Sequence, residues 1–181
     1  RARCDDLLLT NAVPPTGISR LVKLAADNSQ ATIGVLVDSV TSADALGEAC
    51  AAAGAKLHAW VEIDCGQDRC GVRPDSLDAV AIARAVCESR GLVFGGLHVY
   101  HGAIQHTRPR EARARAVRDG PVAAATRVVA DLAAAGIQVP QVTGGGTGTL
   151  LQDLENPTHT EQQPGSYLVM DADYARVYEE E

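Results

Sequence analysis

Gln138-Val-Pro-Gln-Val-Thr-Gly-Gly-Gly-Thr-Gly-Thr149 hands a short strand-like run, 138–142, to a loop of three consecutive glycines and Thr-Gly-Thr. Glycines let the backbone reach positive φ and come close to a ligand. Consecutive N–H groups with two threonine hydroxyls, Thr147 and Thr149, make a concavity suited to an anion, and phosphate is its natural guest. Taken alone, a glycine cluster reads as a flexible surface loop. Its neighbours along the chain decide otherwise.

Upstream of that strand, the same pattern repeats. Residues 5–11 (DDLLLTN), 31–38 (ATIGVLVD), 56–64 (KLHAWVEID) and 94–101 (FGGLHVYH) read as strands. Helical stretches fall at 15–28, 42–53, 76–90 and 110–135, the last interrupted near Gly120-Pro121. Downstream, 161–171 carries a sixth strand, split by Pro164-Gly165. Short apolar strands alternating with helices predict an α/β fold with a parallel sheet covered on its faces. Six strands fit an open doubly wound sheet or most of a barrel. Polar residues favour the barrel, because they gather at nearly every strand C-terminal end: Asn11, Asp38, Asp64, Tyr100 with His101, and Thr143 onward. Active sites of (β/α)₈ barrels lie on that face, whereas an open sheet binds at one switch point.

The 181 residues are 46% apolar but only 3% aromatic, so the core is built from Ala, Val, Leu and Ile, and length allows one domain or at most two. A net charge of −7 argues against non-specific binding to nucleic acid or an anionic membrane. No apolar run reaches membrane-spanning length. Five cysteines, an odd number without a C-x-x-C, read as reduced thiols of a cytoplasmic protein. The arginines at 108, 110, 113, 115 and 118 read as an exposed, partly paired helix face.

Three further stretches carry chemistry. VEIDCGQDRCGV at 61–72 places three acids, two glycines and Arg69 where a strand opens into its loop. Gly66 and Gly71 let that loop fold tightly and aim the guanidinium inward, toward a phenolate or carboxylate; the plain alternative is a structural salt bridge between Asp64 and Arg69. In GGLHVYHGAIQH at 95–106, alternation sets His98 and Tyr100 on one face and Val99 and His101 on the other. The spacing of His98, His101 and His106 matches no familiar metal site, so no metal ligand is assigned. QQPGSYLVMDADY at 162–174 supplies Gly165 and Ser166, a second set of backbone N–H groups with a hydroxyl, one β/α unit after the first. Barrels often build phosphate sites from their last two strand-end loops.

In this order and at these separations, the four motifs resemble the fold-type III pyridoxal-phosphate enzymes, whose barrel is that of alanine racemase. The likeness extends over nearly the whole chain and is nearest to the D-threonine aldolase, 3-hydroxy-D-aspartate aldolase and D-serine dehydratase group. The resemblance implies a parallel (β/α)₈ TIM barrel and a pyridoxal 5'-phosphate cofactor. It implies catalytic roles for Arg69 and Tyr100: Arg69 at the cofactor's phenolate oxygen, Tyr100 against the ring. It implies a phosphate side made by Gly145, Gly146, Thr147, Gly165, Ser166 and Tyr174, and it sets Gln163 opposite the pyridine nitrogen, where racemases carry an arginine.

The family also needs a Schiff-base lysine at the end of the first barrel strand. The two lysines of this chain, Lys23 in a predicted helix and Lys56 at a strand start, do not match it. Nor is the family's metal-binding C-terminal β-domain recognisable. The expectation is therefore an incomplete barrel, 1–171, of about six of the eight β/α units, with 172–181 leading toward a second domain. The N-terminus, without an initiator Met or signal-peptide pattern, fits a start after about two units. The expected activity of the full-length parent is that of a lyase dependent on pyridoxal phosphate and a divalent metal. It would cleave D-β-hydroxy amino acids in the manner of D-threonine aldolase, as a homodimer, with this stretch alone inactive. D-serine dehydration and a non-catalytic pyridoxal-phosphate-binding barrel are the alternatives.

Overall fold

In the computed structural model, which describes residues 4–178, the alternation becomes six parallel strands in one sheet, ordered β1-β2-β3-β4-β5-β6. They are β1 (Asp6–Ala12), β2 (Thr32–Val37), β3 (Leu57–Glu62), β4 (Leu92–Val99), β5 (Val142–Gly144) and β6 (Glu161–Gln162). The sheet curls into a half-barrel with helices outside. Along the chain these are α1 (Pro15–Asp27), α2 (Val40–Ala53), α3 (Asp78–Glu88), α4 (Arg110–Val117), α5 (Ala123–Ala134), α6 (Leu150–Leu154) and α7 (Ala172–Tyr178).

Period-two alternation sorts each strand into two faces. Ile33, Val35 and Val37 of β2, Leu57, Ala59 and Val61 of β3, and Leu97 and Val99 of β4 join the core under the helices. Leu21 of α1, Leu46 of α2, Ile82 and Val86 of α3, and Val128 and Leu132 of α5 complete it. The concave face differs. Trp60 fills its lower part, and Gly34 and Gly95 make the room: a Cβ on either would lie 2.5 or 2.6 Å from the indole. Above Trp60, strand pairing aligns Glu62 with His98, His98 with Thr143, and Thr143 with Glu161. That polar row crosses four strands near their C-terminal ends.

Local signals explain several boundaries. Ser39 caps α2, its hydroxyl accepting from the N–H of Ser42, and Gly54 ends the helix at φ 64. At Gly120-Pro121 the chain does not break. A five-residue π-helix, Arg118–Val122, joins α4 to α5; its wider turn accommodates a proline that cannot donate to an α-helical ladder. The fifth strand starts later than the sequence predicts, at Val142, since Pro140 cannot donate to a ladder; only the Gln141 carbonyl reaches across, to Leu97 N–H. The sixth is two residues long. Beyond it, Pro164-Gly165 leads into a 3₁₀ turn, Ser166–Leu168, instead of continued strand. Arg113, expected on an exposed face, is buried and donates to the Thr107 carbonyl. The segment 172–178 is helical, with Val177 buried; 179–181 lie outside the described residues.

Candidate active site

The strand C-terminal ends surround an open cleft of about 340 Å³ lined by Thr10, Asn11, Arg69, His98, Tyr100, Gly146, Thr147, Gln163, Gly165, Ser166 and Tyr174. Of the nine site residues that the resemblance implies, only Gly145 is not on this wall.

Arg69 reaches the cleft from a loop that the chain after β3 folds back on itself. Asp64 N–H donates to the Val72 carbonyl and Val72 N–H to the Glu62 carbonyl. Gly71, at φ 93, passes so near that a Cβ would lie 2.7 Å from Asp64 N. Asp64 organises the turn: its Oδ1 accepts from the N–H groups of Gly66, Gln67 and Asp68 at 3.0, 3.0 and 3.1 Å. Burial tends to raise this carboxyl, but the backbone donors outweigh it and hold the pKa below the usual value. Arg69 does not pair with Asp64, so the salt bridge considered from sequence is replaced by another. Arg69 Nε donates to Cys70 Sγ at 3.3 Å, the Cys70 thiol donates to Glu62 Oε1 at 2.8 Å, and the guanidinium lies 3.8 Å from the same oxygen. Glu62 is almost fully buried, while Arg69 remains 51% exposed and free to meet a ligand.

His98 and Tyr100 share a face, as alternation requires, with ring centroids 6.4 Å apart. Burial pushes the His98 pKa down to about 4, so the ring is neutral near pH 7. Burial raises the Tyr100 phenol above its ordinary value. His106 sits against Tyr174, with centroids 4.5 Å apart, and 3.3 Å from Asp173. Among the described residues, no group of three or more His, Cys, Asp or Glu is arranged to hold a metal.

The glycine loop is built differently from a row of outward N–H groups. Gly146 N–H donates to Thr149 Oγ1 at 3.2 Å and Gly148 N–H to Gln105 Oε1 at 3.0 Å. The Thr149 hydroxyl faces inward too, onto Asp153 at 2.5 Å. The expectation of two threonine hydroxyls in the concavity is corrected: Thr147 lines the cleft and Thr149 anchors the loop from behind. Gly145 has φ 66, and a Cβ there would lie 2.5 Å from Asp153 Oδ2. The glycines thus serve packing against Gln105 and Asp153 as much as ligand approach. Tyr167 N–H donates to Thr147 Oγ1 at 3.3 Å, bringing the 144–149 and 165–166 loops side by side, and the Tyr178 hydroxyl donates to the Thr147 carbonyl. Nothing would meet a Cβ on Gly165 within 4 Å, so the cradle is open there.

Sequence reasoning did not single out Thr10 and Gln105. Thr10 is an ordinary strand-end residue. Gln105 belongs to a 3₁₀ turn, Gly102–His106, whose glutamine gives no periodic signal, yet it is buried and its Nε2 also reaches Thr149 Oγ1 at 3.0 Å. It ties the Tyr100 loop to the glycine loop.

The curled parallel sheet thus gathers a guanidinium, an aromatic wall and two adjoining loops at its strand ends, the layout of a barrel domain's site face. The chain belongs to the family described as alanine racemase, N-terminal domain, which matches residues 7–173. It is 38% identical to a D-threonine aldolase of Arthrobacter sp. over 177 residues, 96% of this chain and 45% of that protein. It is equally 38% identical to a 3-hydroxy-D-aspartate aldolase of Paracoccus denitrificans (strain Pd 1222), over 100% of this chain and 46% of that one. The crystal structure of D-threonine aldolase from Filomicrobium marinum superposes with TM-score 0.88 at 38% identity, covering 94% of this chain and 45% of that one. D-threo-3-hydroxyaspartate dehydratase from Delftia sp. HT23 gives TM-score 0.79 at 25% identity, covering 92% and 43%. The chain spans about half the length of the relatives it matches.

Proposed function

We propose that the cleft binds pyridoxal 5'-phosphate and serves a lyase that cleaves D-β-hydroxy amino acids to glycine and an aldehyde. The observation that carries this reading is the convergence of Arg69, Tyr100, Gln163 and the two loops of Thr147 and Gly165–Ser166 on one opening. The residues fit the group. A flat ring needs an apolar wall, which Tyr100 offers. A phosphate needs an open cradle of N–H and hydroxyl groups, which Thr147, Gly165 and Ser166 offer; Gly145, Gly146 and Tyr174 shape it. A phenolate oxygen needs a fixed cation, which Arg69 offers. Gln163, neutral, would meet the ring nitrogen. Bound pyridoxal phosphate would supply the electron sink for breaking a bond at the substrate's α-carbon.

The likeness to two named aldolases at 38% identity supports the substrate class. The dehydratase relative, at 25%, keeps elimination to a keto acid and ammonia as the second reading. D-serine is the substrate the sequence resemblance offers for it. The reading includes a divalent metal held by ligands outside this sequence, a homodimer, and a cytoplasmic location; among the described residues no helix is long and apolar enough to cross a membrane. It includes 1–171 as the cofactor barrel and 172–181 as the lead into a further domain. The test is product analysis with the full-length gene product, pyridoxal phosphate and a divalent metal. Glycine with an aldehyde from D-threonine supports the aldolase. Pyruvate from D-serine without aldehyde from D-threonine supports the dehydratase. No turnover of either, with the cofactor bound, contradicts both.

A further inference from the structure

The polar row on the concave face has a direction. Thr143 Oγ1 lies 2.6 Å from Glu161 Oε1, and Gln141 Nε2 holds the other carboxylate oxygen at 2.8 Å. A carboxylate only accepts, so the threonine proton points to Glu161. Thr143 Oγ1 then has lone pairs to offer, and Gln163 Nε2 donates to it at 2.9 Å. That turns the amide oxygen toward His98, whose Nε2 lies 3.2 Å from Gln163 Oε1. Two acceptors cannot bond each other, so His98 Nε2 carries the hydrogen. His98 Nδ1 is left as a bare lone pair, buried and without a hydrogen-bond partner, 3.9 Å from Glu62 Oε1. Glu62 Oε1 is met by the Cys70 thiol and Arg69 instead, while Glu62 Oε2, like His98 Nδ1, is buried without a hydrogen-bond partner.

We infer that Glu161, through Thr143, sets the direction of a donor chain running from His98 through Gln163 to the carboxylate, fixing His98 as its Nε2–H tautomer and leaving Gln163 with a free N–H for the cleft. Thr143 and Glu161 are positioning residues: neither lines the cleft, and both act through Gln163, which does. With its oxygen committed to His98, Gln163 presents a donor, and a donor selects a ring nitrogen that carries no proton. An arginine selects the same form by its charge, but here the preference is set by an orientation that two other residues impose. The statement about the cleft rests on the pyridoxal-phosphate reading; the statement about the tautomer does not.

The experiment is histidine-labelled NMR of the full-length gene product, first without cofactor. Wild type is expected to show His98 as the Nε2–H tautomer. Thr143→Val, which cannot relay, and Glu161→Gln, which replaces an acceptor-only group with one that can also donate, are expected to yield mixed or reversed tautomers. Thr143→Ser should restore the wild-type spectrum. An Nδ1–H tautomer in wild type, or an unchanged tautomer in Thr143→Val with native near-ultraviolet circular dichroism, overturns the chain. Pyridoxal phosphate labelled at its ring nitrogen is then added. An unprotonated nitrogen in wild type supports the donor role of Gln163. A protonated one overturns it, even with the tautomer as expected. If wild type binds no cofactor while His98 behaves as stated, the functional reading fails and the donor chain stands.

Discussion

At the scale of single residues, Arg69 bears the most weight. Its guanidinium is half exposed and supports no core packing, and the Cys70 thiol still serves buried Glu62 if it is removed. In the full-length gene product, Arg69→Ala is expected to lower turnover of D-threonine ~10²–10³-fold, the usual loss for one preorganised charge donor, with the melting temperature nearly unchanged. Lysine should restore little, since it lacks the planar fork. Turnover and thermal melts of both variants check this; equal losses in activity and fold would make Arg69 structural. His98 gives a pH signature. Its folded pKa of about 4 lies below the ordinary 6.5, so the unfolded chain binds the extra proton first as pH falls. The His98 contribution is expected to be lost between pH 6.5 and 4, by up to about 3 kcal/mol at ~1.4 kcal/mol per pKa unit, and to level off below. Burial depresses His101 and His159 in the same direction. Urea melts across that range test the sign, and His98→Gln should flatten the slope. The motifs alone point to Arg69, a guanidinium flanked by Gly66 and Gly71 at a strand end, and to Tyr100, an aromatic at a strand end in a chain only 3% aromatic. The partner of Arg69 was not legible: Glu62 and Asp64 are both acids in one motif, and only the fold decides which is buried beside it.

At the scale of elements, the glycine loop and its buried supports form one unit. Gly145→Ala must strain a positive φ and push into Gln162 and Asp153; left-handed strain of ~1–2 kcal/mol and overpacking of ~1–3 kcal/mol predict a loss of about 2–5 kcal/mol. Gln105→Ala leaves the buried Gly148 N–H without its acceptor and should cost ~1–3 kcal/mol. Because Gln105 also joins the Tyr100 loop, phosphate affinity should fall with it. Differential scanning calorimetry and titration with inorganic phosphate measure the two effects; full affinity in Gln105→Ala would show the loop to be held elsewhere. Periodicity located four strands and most helices well, since apolar alternation is a local signal. It misplaced the fifth strand and overextended the sixth, where pairing depends on neighbours and prolines deny donors. It read two threonines alike, though Thr149 turns inward to Asp153, a contact no spacing announces.

At the scale of the whole molecule, the parallel sheet gathers separated motifs on one rim and keeps both lysines away from it. Lys23 pairs with Asp27 on the exposed surface of α1, and Lys56 precedes β3 at the opposite end of the sheet. Borohydride treatment of the 181-residue chain with pyridoxal phosphate is therefore expected to fix no cofactor in the cleft, and the chain alone should not cleave D-threonine; a reduced adduct on Lys23 or Lys56 with activity would contradict this. The barrel class was legible from polar residues at successive strand ends, and the six parallel strands follow it; the curl and the polar row across four strands came only from register. Whether the rim binds pyridoxal phosphate in the stated orientation is best measured by a crystal structure of the full-length gene product with the cofactor. The account predicts phosphate density between Thr147 and Gly165–Ser166, the ring against Tyr100, and the phenolate oxygen at Arg69. A cofactor bound outside this cleft, or reversed so that Arg69 meets the phosphate, would contradict it.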